Sequence, residues 1–137
     1  MHALDYPSFT SAREHLKTVF DAAERGHIVT VARSRERFAI TSVERLRDYL
    51  AKTVEPRLRV GKAEDTGTWV ASMDSRPFIA EGADAEDAID GLVEELREYA
   101  EDFDEHFSGA ANHKENWGLV QLVRFSSDEQ LKAWLRS

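Results

Sequence analysis

The side chains that could carry out catalysis are present in this sequence, but their spacing does not build a catalytic site. The five histidines lie at positions 2, 15, 27, 106 and 113, and these spacings are not those of a metal site. Asp74 and Glu81 lie near predicted strand ends, where carboxylates could hold a divalent metal ion, but a turn or edge position explains both more simply. We therefore expect no catalytic residue, no bound metal and no cofactor.

Charge is distributed unevenly along the chain. Residues 1–55 hold 9 Lys and Arg against 8 Asp and Glu, whereas residues 56–137 hold 9 against 18. A neutral-to-basic first part is compatible with a nucleic-acid partner, and an acidic second part is compatible with a basic protein partner. Charge alone is equally well explained by the need for solubility.

Composition limits the class of protein. The 137 residues are enough for one compact domain or two very small ones, and 42% of them are hydrophobic, which is enough for a core. The sequence has no cysteine, which fits a reducing compartment. It also lacks the run of roughly 18 apolar residues that a membrane span needs, and the basic-then-apolar start of a signal peptide. We expect a cytoplasmic protein with no membrane association.

Hydrophobic spacing and helix caps predict mixed structure in the first part. Ser11 with Glu14, and Thr41 with Glu44, have the spacing of a capping box, so each pair predicts a helix start. The predicted elements, in order, are a strand at 3–6, a helix from 11 to 25, strands at 27–32 and 37–40 around a basic turn at 33–36, and a helix from 42 to 51.

The second part also predicts alternating strands and helices. The run 117–125 is apolar on both sides, which is typical of a central strand. The predicted elements are strands at 58–64, 68–73 and 77–81, a helix capped by Asp84, a loop at 108–116, a strand at 117–125 and a helix capped by Ser127 and Gln130. The order is βββαβα, so the whole chain is predicted to have an α+β fold.

The helix predicted at 85–103 has the clearest periodicity in the chain. Its apolar residues follow 3.6-residue spacing, and its opposite face is almost purely acidic. This acidic face could be a solvated surface, or it could dock a basic partner. The candidate partner-binding residues are Glu94, Glu98, Glu101, Asp102 and Glu105.

Residues typical of one protein family run through the first part of the chain. They are Ser11-Ala12-Arg13 with Leu16, then Glu24-Arg25-Gly26, the strand Ile28-Val29-Thr30-Val31, the basic turn, and Phe38-Ala39-Ile40-Thr41-Ser42 followed by Glu44-Arg45-Leu46. This pattern resembles the Phd/YefM family of bacterial antitoxins over roughly residues 3–52. The resemblance implies a dimer in which strands of two subunits pair and the paired N-terminal regions face operator DNA.

The resemblance also assigns roles to individual residues. It places Ser11 and Arg13 at the DNA-facing start of the first helix, and Arg33 and Arg35 in the basic turn. The chemistry is consistent, because a helix N-terminus offers N–H groups to a phosphate and arginine can grip a phosphate or a guanine edge with two hydrogen bonds. The turn departs from the family, which carries glycine and often proline there, whereas this chain has Ser34-Arg35-Glu36. The alternative is a solvated hairpin whose arginines pair with the neighbouring glutamate.

A second resemblance covers roughly residues 58–105. The stretches Gly67-Thr68-Trp69-Val70-Ala71 and 81–89 are similar to the HicB antitoxins, which have a shortened ribonuclease-H-like α/β layer. The family's Pro-Gly-Cys approach to the third strand is absent here. The resemblance implies that this part binds a toxin, and a toxin that cleaves RNA carries positive surface that an acidic helix face could attract.

The two resemblances together predict a type II antitoxin. We expect a DNA-binding and dimerisation domain at residues 1–55 and a toxin-binding domain at residues 56–137. The protein would neutralise a RelE-like or HicA-like ribonuclease toxin by direct binding and repress its own operon, as a homodimer or a higher even oligomer. The alternatives are an interaction module without operator binding and, as a minor one, a degenerate nuclease.

Overall fold

The computed structural model describes residues 4–103, 105 and 114–137. The chain divides into two compact units, Met1–Asp48 and Tyr49–Ser137, and the division falls within one helix, α3. The functional domains predicted at 1–55 and 56–137 stay predictions. No helix of the described residues is long and apolar enough to cross a membrane.

The first unit contains a small three-stranded sheet with two helices. Its elements are β1 (Asp5–Tyr6), α1 (Phe9–Glu14), α2 (Leu16–Glu24), β2 (Val29–Arg33), β3 (Glu36–Ile40) and the start of α3 (Val43–Thr53). The central strand, β2, runs parallel to β1 and antiparallel to β3. The core consists of Tyr6, Ala12, Val19, Ala22, Val29 and Val31. The β2–β3 hairpin was predicted correctly, and its loop is the residue pair Ser34 and Arg35, with Ser34 in the left-handed region at φ 56°.

The first helix begins earlier than predicted, and it is interrupted. Ser8, and not Ser11, caps it, because the Ser8 hydroxyl oxygen accepts a hydrogen bond from the backbone N–H of Ser11 at 3.1 Å. His15 then separates α1 from α2. Its Nδ1 lies 2.9 Å from the Ser11 carbonyl oxygen, while its backbone N–H donates to Ala12 at 3.0 Å, so the regular helical bonding of α1 ends there.

The second unit packs one long helix on a second three-stranded sheet. Its strands are β4 (Leu58–Lys62), β5 (Trp69–Met73) and β6 (Ile79–Gly82), which form an antiparallel sheet in that order. The helix α4 (Ala85–Asp102) packs on this sheet and on α5 (Trp117–Phe125) and α6 (Asp128–Leu135). The predicted caps at Asp84 and at Ser127 with Gln130 are both present.

The strand predicted at 117–125 is wrong, because these residues form the helix α5. Leu119, Val120, Gln121, Leu122 and Val123 are consecutive and all buried, so α5 has little exposed circumference. A helix buried on most sides reads as an unbroken apolar run, which periodicity cannot distinguish from a central strand. The α+β class is confirmed, but the strands and α-helices that the structure describes from β4 onward follow the order βββααα.

The loop predicted at 108–116 lies mostly outside the described residues, as do His106 and His113. The described part of it, Lys114–Asn116, forms a short 3₁₀ helix that leads into α5.

Candidate functional site

The structure brings two of the four predicted DNA-binding residues together around one aromatic ring. Phe9 is the first residue of α1, and Arg13 follows it by one helical turn. The guanidinium carbon of Arg13 lies 6.0 Å from the centre of the Phe9 ring, and that of Arg33 lies 5.7 Å from it. Arg33 comes from the end of β2, so the ring joins side chains from two different elements.

Arg13 and Arg33 also differ from their neighbours in electrostatic surroundings. Both are exposed, and neither forms an ion pair with any of the described residues. Arg37, by contrast, lies 3.9 Å from the carboxylate of Asp5. An exposed guanidinium without a carboxylate partner keeps its positive potential available to an anion.

The remaining two predicted residues, Ser11 and Arg35, lie in different surroundings. Arg35 is exposed in the hairpin loop between β2 and β3. Ser11 is half-buried, and its backbone N–H already donates to Ser8. Ser11 can therefore offer a ligand its hydroxyl group but not its N–H. Phe9 was not identified from the sequence, although its spacing of four residues from Arg13 places the two side chains on the same side of a helix.

The acidic face of α4 divides into two halves that differ in their partners. In the first half, Glu86 accepts a hydrogen bond from Lys132 at 3.2 Å and also pairs with Arg136. Asp90 pairs with the same lysine. The hydrogen bonds to Asp90 and Glu86 raise the pKa of Lys132 above its ordinary value. These carboxylates hold α6 against α4 and are less available to another protein.

The second half contains the predicted partner-binding residues. Glu94, Glu98, Glu101 and Asp102 are exposed and have no ion pair or hydrogen-bond partner among the described residues, apart from the helix's own backbone. They lie three or four residues apart or adjacent, so they share one side of the helix. Glu105 is also exposed. We call the four residues from Glu94 to Asp102 the open acidic patch.

The single arginine of α4 has an internal role. Arg97 donates to the main-chain carbonyls of Val123 at 2.5 Å and Ser126 at 2.8 Å, and to the carboxylate of Asp128 at 2.7 Å. It therefore satisfies carbonyl groups at the end of α5 and ties them to the first residue of α6. Arg97 therefore does not neutralise the exposed glutamates that flank it on α4.

The carboxylates considered for a nuclease site do not converge. Asp74 follows β5 and pairs with Arg59 at 2.7 Å, whereas Glu81 lies on β6 opposite Val70. Val70 and Asp74 are separated by four residues, which corresponds to roughly 13 Å along a strand. Within residues 4–103, 105 and 114–137, no three His, Asp or Glu side chains form a group that could hold a metal ion.

Comparison with known proteins identifies the family. A family model named PHD_like, described as an antitoxin of toxin–antitoxin, RelE/RelB, systems, matches residues 1–136. This chain belongs to the PHD_like antitoxin family. The PHD_like match covers both units, and the specific combination of a Phd/YefM-like first part with a HicB-like second part is not confirmed. Family membership makes the protein an antitoxin of a toxin–antitoxin system, which implies a toxin partner and favours a regulatory, non-enzymatic role.

A solved structure shares the fold of this PHD_like antitoxin. It is described as the antitoxin part of a proposed toxin/antitoxin system from Syntrophomonas wolfei subsp. wolfei. The two chains superpose with a TM-score of 0.79 at 21% sequence identity, over 98% of this chain and 96% of the other. At that identity, the likeness shows a common fold across both units. No curated protein matches the sequence significantly.

Proposed function

We propose that this antitoxin neutralises a RelE-like or HicA-like ribonuclease toxin by direct binding and represses its own operon by binding operator DNA. Residues 1–55 would bind DNA and dimerise, and residues 56–137 would bind the toxin. The observation that carries the proposal is the placement of unpaired charge. Among the residues that the structure describes, Arg13, Arg33 and Arg35 of the first unit are exposed without a carboxylate partner, and the open acidic patch of the second unit is exposed without a basic partner.

The open acidic patch supports binding to a basic protein. A toxin that cleaves RNA has to attract a polyanion, so its substrate-binding surface carries positive charge, and an acidic partner would compete for that surface. Apolar anchors supply most of the affinity in such interfaces. Trp117, at the start of α5, is 54% exposed and is the largest exposed apolar side chain of the second unit.

Arg13, Arg33 and Arg35 support the operator-binding part of the proposal. A guanidinium group binds phosphate oxygens or a guanine edge in a bidentate manner. In a twofold dimer these side chains would be present twice, which suits a palindromic site.

Exposed apolar residues in the first unit support a homodimer. Leu16, Phe20, Ile28 and Phe38 are each between 47% and 59% exposed. In addition, β3 has only one strand neighbour among the described residues, so its outer edge could pair with a second subunit.

A DNA titration tests the repressor role. The purified full-length protein is titrated against the DNA upstream of its own operon and against random DNA, at two salt concentrations. We expect a palindrome-dependent shift that weakens steeply with salt, because phosphate contacts release counterions. Equally weak binding to both DNAs would contradict the repressor role and would support the alternative, an interaction module without operator binding.

A toxin-inhibition assay tests the other half. The product of the reading frame beside the antitoxin gene is assayed for RNA cleavage with and without the antitoxin. We expect stoichiometric loss of cleavage and a stable complex in gel filtration. Full cleavage in the presence of excess antitoxin would contradict neutralisation by direct binding.

A further inference from the structure

Phe9 is exposed in a way that core packing does not explain. It is 53% exposed at the first position of α1, although the next turn of the same helix buries Ala12 in the core. The guanidinium groups of Arg13 and Arg33 contact its ring. Both lie within the roughly 6 Å over which a cation is attracted to an aromatic ring.

The positions of the two arginines are fixed by elements that pack together. Arg13 lies four residues after Phe9, so both side chains extend from the same side of α1. Arg33 ends β2, and α1 packs on β2, with Ala12 of the helix and Val31 of the strand buried in the same core cluster. The ring therefore lies where a helix and a strand each present a guanidinium group.

Within the described part of the chain, no side-chain hydrogen bond or ion pair competes with the ring for these arginines. Neither forms an ion pair with a described residue. A free arginine samples many rotamers, and it loses that freedom when it binds a ligand. Contact with the ring restricts both side chains before a ligand arrives. Two like charges held close to one ring also repel each other, and an anion bound between them would relieve that repulsion.

We propose that Phe9 is a positioning residue for DNA, whose ring holds Arg13 and Arg33 where they can bind the same stretch of phosphodiester backbone. This inference rests on the operator binding proposed above. It adds a role for a residue whose side chain is uncharged and has no hydrogen-bond donor for a phosphate.

Variants of Phe9 test the inference in the full-length protein, with the DNA upstream of its own operon as the probe. Phe9→Leu keeps an apolar side chain but removes the π face, and we expect it to weaken binding by about fivefold. Phe9→Tyr keeps the ring and should bind within about twofold of the parent protein. Because Phe9 is exposed, the midpoint of thermal unfolding should be nearly unchanged in both variants.

A double-mutant cycle separates positioning from a general structural effect. In Arg13→Ala, part of the role of Phe9 is already lost, so adding Phe9→Leu should weaken binding by less than it does in the parent protein. Additive losses would overturn the inference, even if Phe9→Leu also lowered stability. Equal binding by the parent protein and Phe9→Leu would overturn it while leaving operator binding intact. A parent protein without palindrome-dependent binding would overturn operator binding and the positioning role together.

Discussion

Two arginines of the first unit and two of the second differ in their surroundings. In the first unit, Arg13 and Arg33 are exposed and contact an aromatic ring, without a carboxylate partner among the described residues. In the second unit, Arg97 and Arg76 donate to main-chain carbonyls, and burial lowers the pKa of Arg76. An arginine whose hydrogen bonds are made internally supports the fold, whereas one without them is a candidate for binding a partner. The same distinction separates the two halves of the acidic face of α4.

The largest expected effect comes from the most fully bonded arginine. Arg97→Met leaves two main-chain carbonyls and the Asp128 carboxylate without their donor, so we expect the free energy of unfolding to fall by about 3 kcal/mol. Urea unfolding followed by circular dichroism measures it. Arg124→Ala is the matched control, since Arg124 is exposed and its guanidinium group hydrogen-bonds one described side chain, that of Gln121, besides contacting the Phe125 ring. Equal losses in both variants would remove the distinction between the two kinds of arginine.

Substitutions at Gly82 and Gly61 test how closely the start of α4 packs against β6. A Cβ atom at Gly82 would lie 2.7 Å from the carbonyl carbon of Asp87 and 2.8 Å from its Cβ atom. We expect Gly82→Ala to destabilise the protein by about 2 kcal/mol, because the start of α4 would have to move. Gly61 is the control, since a Cβ there would meet no atom of the described residues within 4 Å. A stable Gly82→Ala variant would show that α4 can shift at little cost.

Arg13 should show the opposite behaviour to Arg97. We expect Arg13→Ala to weaken binding to the upstream DNA by about tenfold, which corresponds to about 1.4 kcal/mol, with thermal stability nearly unchanged. Arg25→Ala removes the same charge from an exposed position at the end of α2 and should change specific binding much less. If Arg13→Ala instead lowers stability as Arg97→Met does, Arg13 supports the fold. The distinction between partner-binding arginines in the first unit and structural arginines in the second would then be wrong.

The two halves of α4 should differ in toxin association. Replacing Glu98 with Gln removes charge from the open acidic patch, and we expect the association rate with the toxin to fall by about threefold at low salt. Added salt should reduce this difference. Glu86→Gln, in the half tied to α6, should lower stability and leave the association rate nearly unchanged, because Glu86 already pairs with Lys132 and Arg136. Stopped-flow fluorescence measures the rates, and equal slowing by both variants would show that the halves are not distinct.

The smallest effect concerns pH. Because the pKa of Lys132 is raised above 10.5 in the folded protein, the folded state holds this proton more tightly than the unfolded chain does. Its contribution to stability is full below the unfolded value and is lost as the pH rises through the folded value. Lys132→Met should therefore lose part of the alkaline decline in stability that the parent protein shows. The comparison is made by urea unfolding above and below pH 10.5.

Local signals predicted the elements that depend on local chemistry. Asp84 and the pair of Ser127 and Gln130 were identified as caps because each side chain bonds a backbone group within its own first turn. The first cap was misplaced because Ser8 and Ser11 are both good caps, and only the folded chain selects between them. The helix α5 was misassigned because it is buried on most sides, against α4 among others, and so its sequence lacks the one-sided apolar spacing of a surface helix.

The candidate interfaces, like the helices and strands, were predictable only where they depend on residues within one element. Helical spacing predicted the acidic face of α4. It could not predict which carboxylates of that face pair with other residues of the protein and which, in the open acidic patch, do not. That division depends on Lys132 and Arg136 reaching Glu86 across 46 and 50 residues of sequence. The contact between the Phe9 ring and Arg33 likewise joins α1 to β2, and α2 lies between these two elements in the sequence. Sequence spacing carries information within one element, and packing decides which side chains meet between elements.

The hydrogen bond from the Trp134 indole to the carbonyl oxygen of Val54 has a consequence for synthesis of the protein. It spans 80 residues at 2.9 Å, and Trp134 and Leu135 are buried in the same unit. The second unit can therefore complete its core only after residue 135 has emerged from the ribosome. The core cluster of the first unit runs from Tyr6 to Val31, with Ile40 packed against it, so these residues have left the ribosome well before residue 135.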